Sequence, residues 1–352
     1  MKWLVLDRRW GIRLFVVMSI LAVVEVDVAA AEFYVNDGSV EGDRFCDGIG
    51  DDARGNGSKA KPYGTLRRAV IAARTGDSVI VDAGTFVQSP VNPPYRLQIL
   101  LNVMGISPNE RAGVDIETEG LKVTGAGPEL TILRGGMDVV IAVRADNVTV
   151  SGLSISEGKT GVEVSGSNST LEDLWIDSSD EFGIVLAGAD GARLKRCRVT
   201  GVGFRGVQLE NSFKVAITNC SSMRNGNAGF CLVGSSGNVL TGNVAVGNGT
   251  SGFYVQNRSS NNTLRDNVSY GSGLGGFYLF TDSTGNVLEG NTARWNQRGF
   301  VSKRTSGNYL VGNVANSNEY AQIQIRGDSK DATLEANEAE VEIVGGASNG
   351  SQ

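Results

Sequence analysis

The chain has 352 residues, with 32 Lys and Arg, 38 Asp and Glu, 48 Gly, 6 Pro and no histidine. The missing imidazole excludes Ser-His-Asp hydrolysis, Cys-His proteolysis and histidine-ligated zinc. A formal net charge of −6 leaves no basic surplus to neutralise phosphates, so nucleic acid is not an expected partner.

Lys2, Arg8, Arg9 and Arg13 precede an apolar run from Leu14 to Val24 that only Ser19 interrupts, and Ala29-Ala30-Ala31 supplies small residues before Glu32. This order predicts a secretory signal peptide over residues 1–31. The run is too short for a bilayer core of about 30 Å, which takes about 20 residues. The expected product is exported, secreted or periplasmic, monomeric and free of any later membrane-inserting segment.

Residues 32–138 read as a cap followed by the first coils. In its opening loop Asp37, Asp43, Asp47, Asp51 and Asp52 are interleaved with Gly38, Gly42, Gly48 and Gly50. Carboxylates on glycine hinges can wrap calcium, which takes about six to eight oxygens, so the loop is a candidate calcium site fastening the cap. A solvated turn is the alternative. Thr65 to Arg74 reads as a short amphipathic helix, and Thr75-Gly76-Asp77, a strand Ser78 to Val81 and Ala83-Gly84-Thr85-Phe86 follow it. Residues 87–112, with Pro90, Pro93, Pro94 and the apolar run Leu97 to Met104, break the pattern and read as an inserted loop.

From Gly161 the chain returns to glycine followed by an apolar residue at Gly183, Gly206, Gly229, Gly252, Gly276 and Gly299, with successive spacings of 22, 23, 23, 23, 24 and 23. Gln322-Ile323 continues the series. A second signature lies half a repeat away, as in Leu240/Asn243, Leu264/Asn267, Leu288/Asn291 and Leu310/Asn313. Within each repeat apolar and polar residues alternate, the period of a strand. One such repeat cannot bury its apolar face alone, so neighbours must stack. Short strands wound in coils of about 23 residues make an all-β fold, a single-stranded right-handed parallel β-helix of about 9–10 coils over residues 139–344, with a short N-terminal capping helix and a flexible tail at 345–352. At about 4.8 Å per coil, nine coils give a rod on the order of 43 Å.

Residues one period apart should then form columns. Phe230, Phe253, Phe277 and Phe300 share an inward phase, and 18 of the 27 asparagines lie between Asn211 and Asn318. Their columns include Asn238/Asn262/Asn286/Asn308, Asn243/Asn267/Asn291/Asn313/Asn337 and Asn225/Asn248/Asn296/Asn318. Asparagine tolerates left-handed bends and its amide can bond the coils above and below. Cys197 and Cys220 share a column too, which suits a disulfide or a stack of buried thiols, and Cys46 could join Cys231.

The phrase Gly-Asn-x-Leu-x-Gly-Asn, at Gly237 to Asn243, Gly285 to Asn291 and Gly307 to Asn313, resembles the repeats of the right-handed parallel β-helix family of the pectate-lyase-like superfamily, which includes carbohydrate-binding proteins and sugar hydrolases. The helix, Gly-Asp, strand and Ala-Gly-Thr-Phe order is similar to the leading cap of its secreted members. The resemblance implies the fold and a polysaccharide partner; it transfers no catalytic residue, because no family active-site pattern is found.

The candidate site comes from the alternation. Tyr254, Tyr278 and Phe280 point outward beside Lys303 and Arg326, and Arg258, Asp282 and Arg304 lie in the following turn. Aromatic faces stack on sugar rings and cations pair uronate carboxylates. Tyr254, Phe280, Arg258, Asp282 and Arg304 are therefore candidate substrate-binding residues of a polysaccharide-binding protein. Lyases on this fold use Lys, Arg or Tyr as base, often with calcium, which makes Lys303, Tyr278 and Arg326 candidates for β-elimination. A structural or adhesion module is the further alternative. A copper-maturation role, known for one periplasmic β-helix family, is not favoured in a chain without histidine.

Overall fold

The computed structural model describes residues 29–88, 112–135, 138–345, 347 and 349–351. The expected leader lies almost wholly outside these residues, as does the expected insertion at 87–112. Among the described residues no helix is long and apolar enough to cross a membrane.

Every paired strand runs parallel to its neighbour, and about ten coils follow one another along a single axis. One coil shows how the sequence dictates the winding. Val239–Thr241 and Val244–Val246 are three-residue strands joined by a bend in which Gly242 takes φ 66°. Ser251–Gln256 is the long strand of the coil, and left-handed Asn257, Arg258 and Asn261 turn the chain into the next coil. The long strands stack into an 11-stranded sheet, and the short pairs form the other wall. Short strands separated by left-handed residues cannot become helices, and each coil offers its unpaired edge to the next.

Leu240, Phe253 and Leu264 are among the fully buried residues of one continuous core. Phe230, Phe253, Phe277 and Phe300 stack with centroids 5.0, 4.7 and 4.8 Å apart and rings within 8° of parallel. Each such pair adds about 0.5–1.5 kcal/mol beyond burial. The asparagines are interior. The Asn262 amide donates to Asn286 Oδ1 at 3.0 Å and to the Ser235 carbonyl at 3.0 Å, and its own Oδ1 accepts from the Asn238 amide at 3.0 Å. The expected left-handed geometry falls one residue earlier, on Gly237, Asn261, Gly285 and Gly307. Glycine relieves the backbone, and the adjoining asparagine satisfies the interior.

The cysteines are all free and buried. Cys197 and Cys220 continue the asparagine column: the Cys197 amide bonds Cys220 Sγ at 3.4 Å, and the Cys220 amide bonds Asn243 Oδ1 at 2.9 Å. They are a thiol stack. The Cys46 to Cys231 bridge is not formed either, since Cys46 sits against the Val35 carbonyl in the cap and Cys231 lies in the long-strand sheet beside Gln256.

The helix Leu66–Ala72 packs on Ala112–Ile116, the first strand of the 11-stranded sheet, and buries Leu66, Ala69 and Val70. The loop before it is held differently from the calcium expectation. Among the described residues no group of three or more His, Cys, Asp or Glu is arranged to hold a metal ion. Asp37 accepts from the Ser39 amide, Asp51 from the Ala53 and Arg54 amides, and Asp52 from Gly64 and Thr65. Asp43 takes the Asn36 amide at 2.6 Å, and no hydrogen bond involves the Asp47 carboxylate among the described residues. Asp82 does the fastening: its carboxylate accepts backbone N–H groups of Arg44, Phe45, Cys46 and Ala83 at 2.7–2.9 Å.

Candidate functional site: the outer face of the long-strand sheet

Alternation along the long strands sends every second side chain outward, and the register stacks these into columns. The middle column runs Gln208, Cys231, Tyr254, Tyr278, Val301 and Gln324. Beside it Phe280, Lys303 and Arg326 are aligned. On the other flank stand the residues that precede the repeat glycine or, in the last coil, Gln322: Arg205, Ala228, Ser251, Gly275, Arg298 and Ala321.

Five of the sequence-predicted residues meet here. The rings of Tyr254 and Tyr278 pack edge to face at 5.5 Å, and Phe280 lies 6.4 and 6.0 Å from them. Lys303 Nζ sits 5.4 Å above the Phe280 ring, a cation–π contact. Tyr278 is buried although it faces outward. Burial raises its phenol above the usual tyrosine range, with Arg326 and Arg298 opposing. Burial likewise pushes Tyr254 up to about 12, with Tyr278 and Cys231 adding and Arg205 opposing. Both phenols therefore keep their protons at neutral pH and are donors. For Tyr278 as the expected base, this is the wrong direction.

Arg205 and Arg298 were not among the sequence candidates. Each stacks on an aromatic residue at the sheet margin: Arg205 on Phe204 at 4.7 Å and Arg298 on Tyr320 at 5.2 Å. The register places them four coils apart, roughly 19 Å, with only Ala228, Ser251 and Gly275 between them in the column. Arg298 Nε, Ser251 Oγ and Thr250 Oγ1 are buried without a hydrogen-bond partner among the described residues. The signal that would have found the arginines is the position immediately before the repeat glycine.

At both ends of the face a glutamine links an arginine to a glutamate. Arg205 Nη1 donates to Gln208 Oε1 at 2.6 Å, and Gln208 Nε2 to Glu210 at 3.3 Å. Arg326 Nη1 donates to Gln324 Oε1 at 3.3 Å, and Gln324 Nε2 to Glu342 at 2.6 Å. The ion pairs among the described residues use Arg144, Lys159, Arg196 and Arg265. Arg205, Arg298, Lys303 and Arg326 have no carboxylate within salt-bridge distance among those residues.

The other three predicted residues lie around the bend that leaves this sheet. Arg258, Asp282 and Arg304 have φ of 62°, 56° and 56°. Asp282 and Arg304 line a groove of about 380 Å³ with Thr284, Ser306, Asp328 and Lys330, while Arg258 and Asp282 line a smaller one of about 300 Å³. The structure thus divides the predicted set between the sheet face and its adjoining bend.

Residues 128–269 match the family model described as the right handed beta helix region, and residues 245–351 match NosD, a periplasmic copper-binding protein. No curated protein sequence matches. Among solved structures, the Dettilon tailspike protein aligns with a TM-score of 0.54 and 11% identity over 76% of this chain, which spans about half, 54%, of that one. The Azotobacter vinelandii mannuronan C-5 epimerase AlgE4 A-module gives 0.53 and 15% over 78% of this chain and 91% of the other. Pectate lyase Pel9A gives 0.52 and 16% over 91% and 79%. The copper description finds no matching donors here: residues 245–351 contain no His, Cys or Met, the ligands that copper selects. The likenesses at these identities concern the backbone. Its repeats, its matched coil region and its ladder of parallel strands give the chain the fold of a right-handed parallel β-helix.

Proposed function

We propose that this is an exported protein that binds an acidic polysaccharide along the outer face of its long-strand sheet. The observation that carries the reading is the set of Arg205, Arg298, Lys303 and Arg326 around two protonated tyrosines, with no carboxylate salt-bridged to any of them among the described residues. Guanidinium groups meet carboxylates bidentately, and a phenol donor with an aromatic face suits a sugar ring. The mannuronan epimerase and the pectate lyase that share this fold are consistent with a polysaccharide partner.

Titration calorimetry with polygalacturonate, alginate and a neutral glucan tests it. Binding to a polyuronide, weakening with salt and at least tenfold weaker in Arg298→Ala and Arg326→Ala, is expected; binding to none of the polyuronides overturns it. A polyuronide lyase is the second reading, favoured by Arg298 and Arg326 both acting on the Tyr278 phenol, since two cations could neutralise a uronate carboxylate beside a donor. Lys303 or an arginine would then have to serve as base. Ultraviolet absorbance from unsaturated uronate on incubation, absent in Lys303→Ala, would select that reading over binding alone.

A further inference from the structure

A second aromatic site lies on a different wall. The short strands Ser221–Met223, Val244–Val246, Val268–Tyr270 and Thr292–Arg294 stack in register, with Met223, Val246, Tyr270 and Arg294 in one outward column. The next residue of each strand is left-handed: Arg224 at φ 54°, Gly247 at 61°, Gly271 at 66° and Trp295 at 53°. Glycine suits this position. Tryptophan does not, because a bulky side chain at positive φ is strained.

Nothing in the core offsets that strain. Trp295 is 54% exposed and its ring leans on Tyr270, 44% exposed, with centroids 4.7 Å apart at 54°. Exposed aromatic side chains in contact, in an unfavourable backbone conformation, mark a surface kept for an occupant. The surroundings say which kind. A Cβ at Gly271 would meet nothing nearer than 4.0 Å, so the surface between Arg224 and Trp295 is open. Arg224 and Arg294 border it, both exposed and without a salt-bridged carboxylate among the described residues. Hydrophobic ring faces stack on the C–H face of a pyranose, and flanking guanidiniums pair with its carboxylate.

We infer that Tyr270 and Trp295, with Arg224 and Arg294, form a second sugar-contact site that takes a uronate residue, on a wall distinct from the long-strand face. The site would let one rod engage two chains, or one chain twice, which raises avidity without new contacts at either site.

Hydroxyl-radical footprinting of the full chain, read by peptide mass spectrometry, tests this with oligogalacturonate and a neutral oligoglucan as probes. Protection of Tyr270 and Trp295 by oligogalacturonate, reduced at least tenfold in midpoint affinity by Arg224→Ala with Arg294→Ala, is the expected result. Trp295→Gly restores the residue type of Gly247 and Gly271, so it should fold as well as the parent and yet lose protection at Tyr270. Equal protection by the neutral oligoglucan overturns the inference, as does protection that appears without sugar and grows with protein concentration, which would mark a contact between copies. Absence of protection at Trp295 also overturns it, whether or not Tyr254 and Tyr278 are protected. Protection confined to Tyr254 and Tyr278 would leave the long-strand face standing alone.

Discussion

The ring of Tyr278 rests on Gly275: a Cβ built there would come within 3.2 Å of Tyr278 Cδ2. The missing side chain is what lets the phenol sit low in the face, between Arg298 and Arg326. Gly275→Val should lift the ring and weaken polyuronide binding by about tenfold, equivalent to about 1.4 kcal/mol. Gly275 has no left-handed φ, so the backbone tolerates the change, and the thermal midpoint should fall only by the cost of displacing the buried ring, about 1–3 kcal/mol. Calorimetry and a melting curve on the same sample check both halves.

Asn267 makes a sharper stability test. Its Oδ1 accepts from the Asn243 backbone and side-chain amides, and its Nδ2 donates to the Leu240 carbonyl and Asn291 Oδ1, all within 3.0 Å. Asn267→Ala leaves these partners buried and unpaired, at about 3 kcal/mol or more. Asn296→Ala should cost less, because Ser272 already interrupts that ladder and Asn296 has no asparagine on its preceding coil. Urea denaturation of the two variants gives the ranking; equal losses would show that the ladder does not act as a unit.

These two residues mark what the sequence made legible. A period of about 23 placed Phe253 over Phe277 and Asn243 under Asn267, because a coil of fixed length must bring the same position back to the same wall. Alternation after the repeat glycine then oriented Tyr254, Tyr278, Lys303 and Arg326. Arg205 and Arg298 escaped notice because they precede the glycine, where a strand is only beginning and alternation has no anchor. The aspartate loop stayed open to two readings for a different reason: acidic residues between glycines have one composition whether the carboxylates turn toward a cation or toward backbone N–H groups. That Asp82 reaches back to Arg44, Phe45 and Cys46 is a tertiary fact with no local spacing to announce it.

Asp82 therefore carries a prediction in place of calcium. Burial pushes its carboxyl up, but the four backbone N–H groups outweigh burial and hold it below the usual carboxylate range. A group lowered in the folded state contributes stability above its unfolded value of about 3.9, and that contribution is lost as pH falls through the folded value. Asp82→Asn should be less stable at neutral pH and should lose less stability than the parent on acidification below about pH 4. Chelator should leave the melting midpoint of the parent unchanged, since Asp37, Asp51 and Asp52 are already held by backbone amides. A chelator-induced drop would return the loop to the metal sites.

Three of the four thiols, those of Cys46, Cys197 and Cys231, should be silent in the native protein. A hydrogen bond with Cys220 and burial both push the Cys197 thiol up, burial takes Cys231 up to about 11, and burial with Asp82 takes Cys46 up to about 12. Thiolate is the reactive form, so alkylation by iodoacetamide at about pH 8 should label none of these until denaturant is added. Labelling of Cys231 alone in the folded protein would mean that the face between Gln208 and Tyr254 opens.

Tyrosine protonation separates the binding and lyase readings through pH. Burial keeps the Tyr254 phenol protonated up to about 12 and raises that of Tyr278 as well. If both serve as donors, polyuronide affinity stays level from about pH 6 to pH 9, because no proton leaves either ring in that range. A turnover that climbs steadily across the same range and disappears in Tyr278→Phe would require an ionised phenol, the state that burial in this face opposes. Parallel affinity and turnover profiles on the parent and Tyr278→Phe distinguish the two, and Tyr254→Phe controls for loss of a donor at the neighbouring ring.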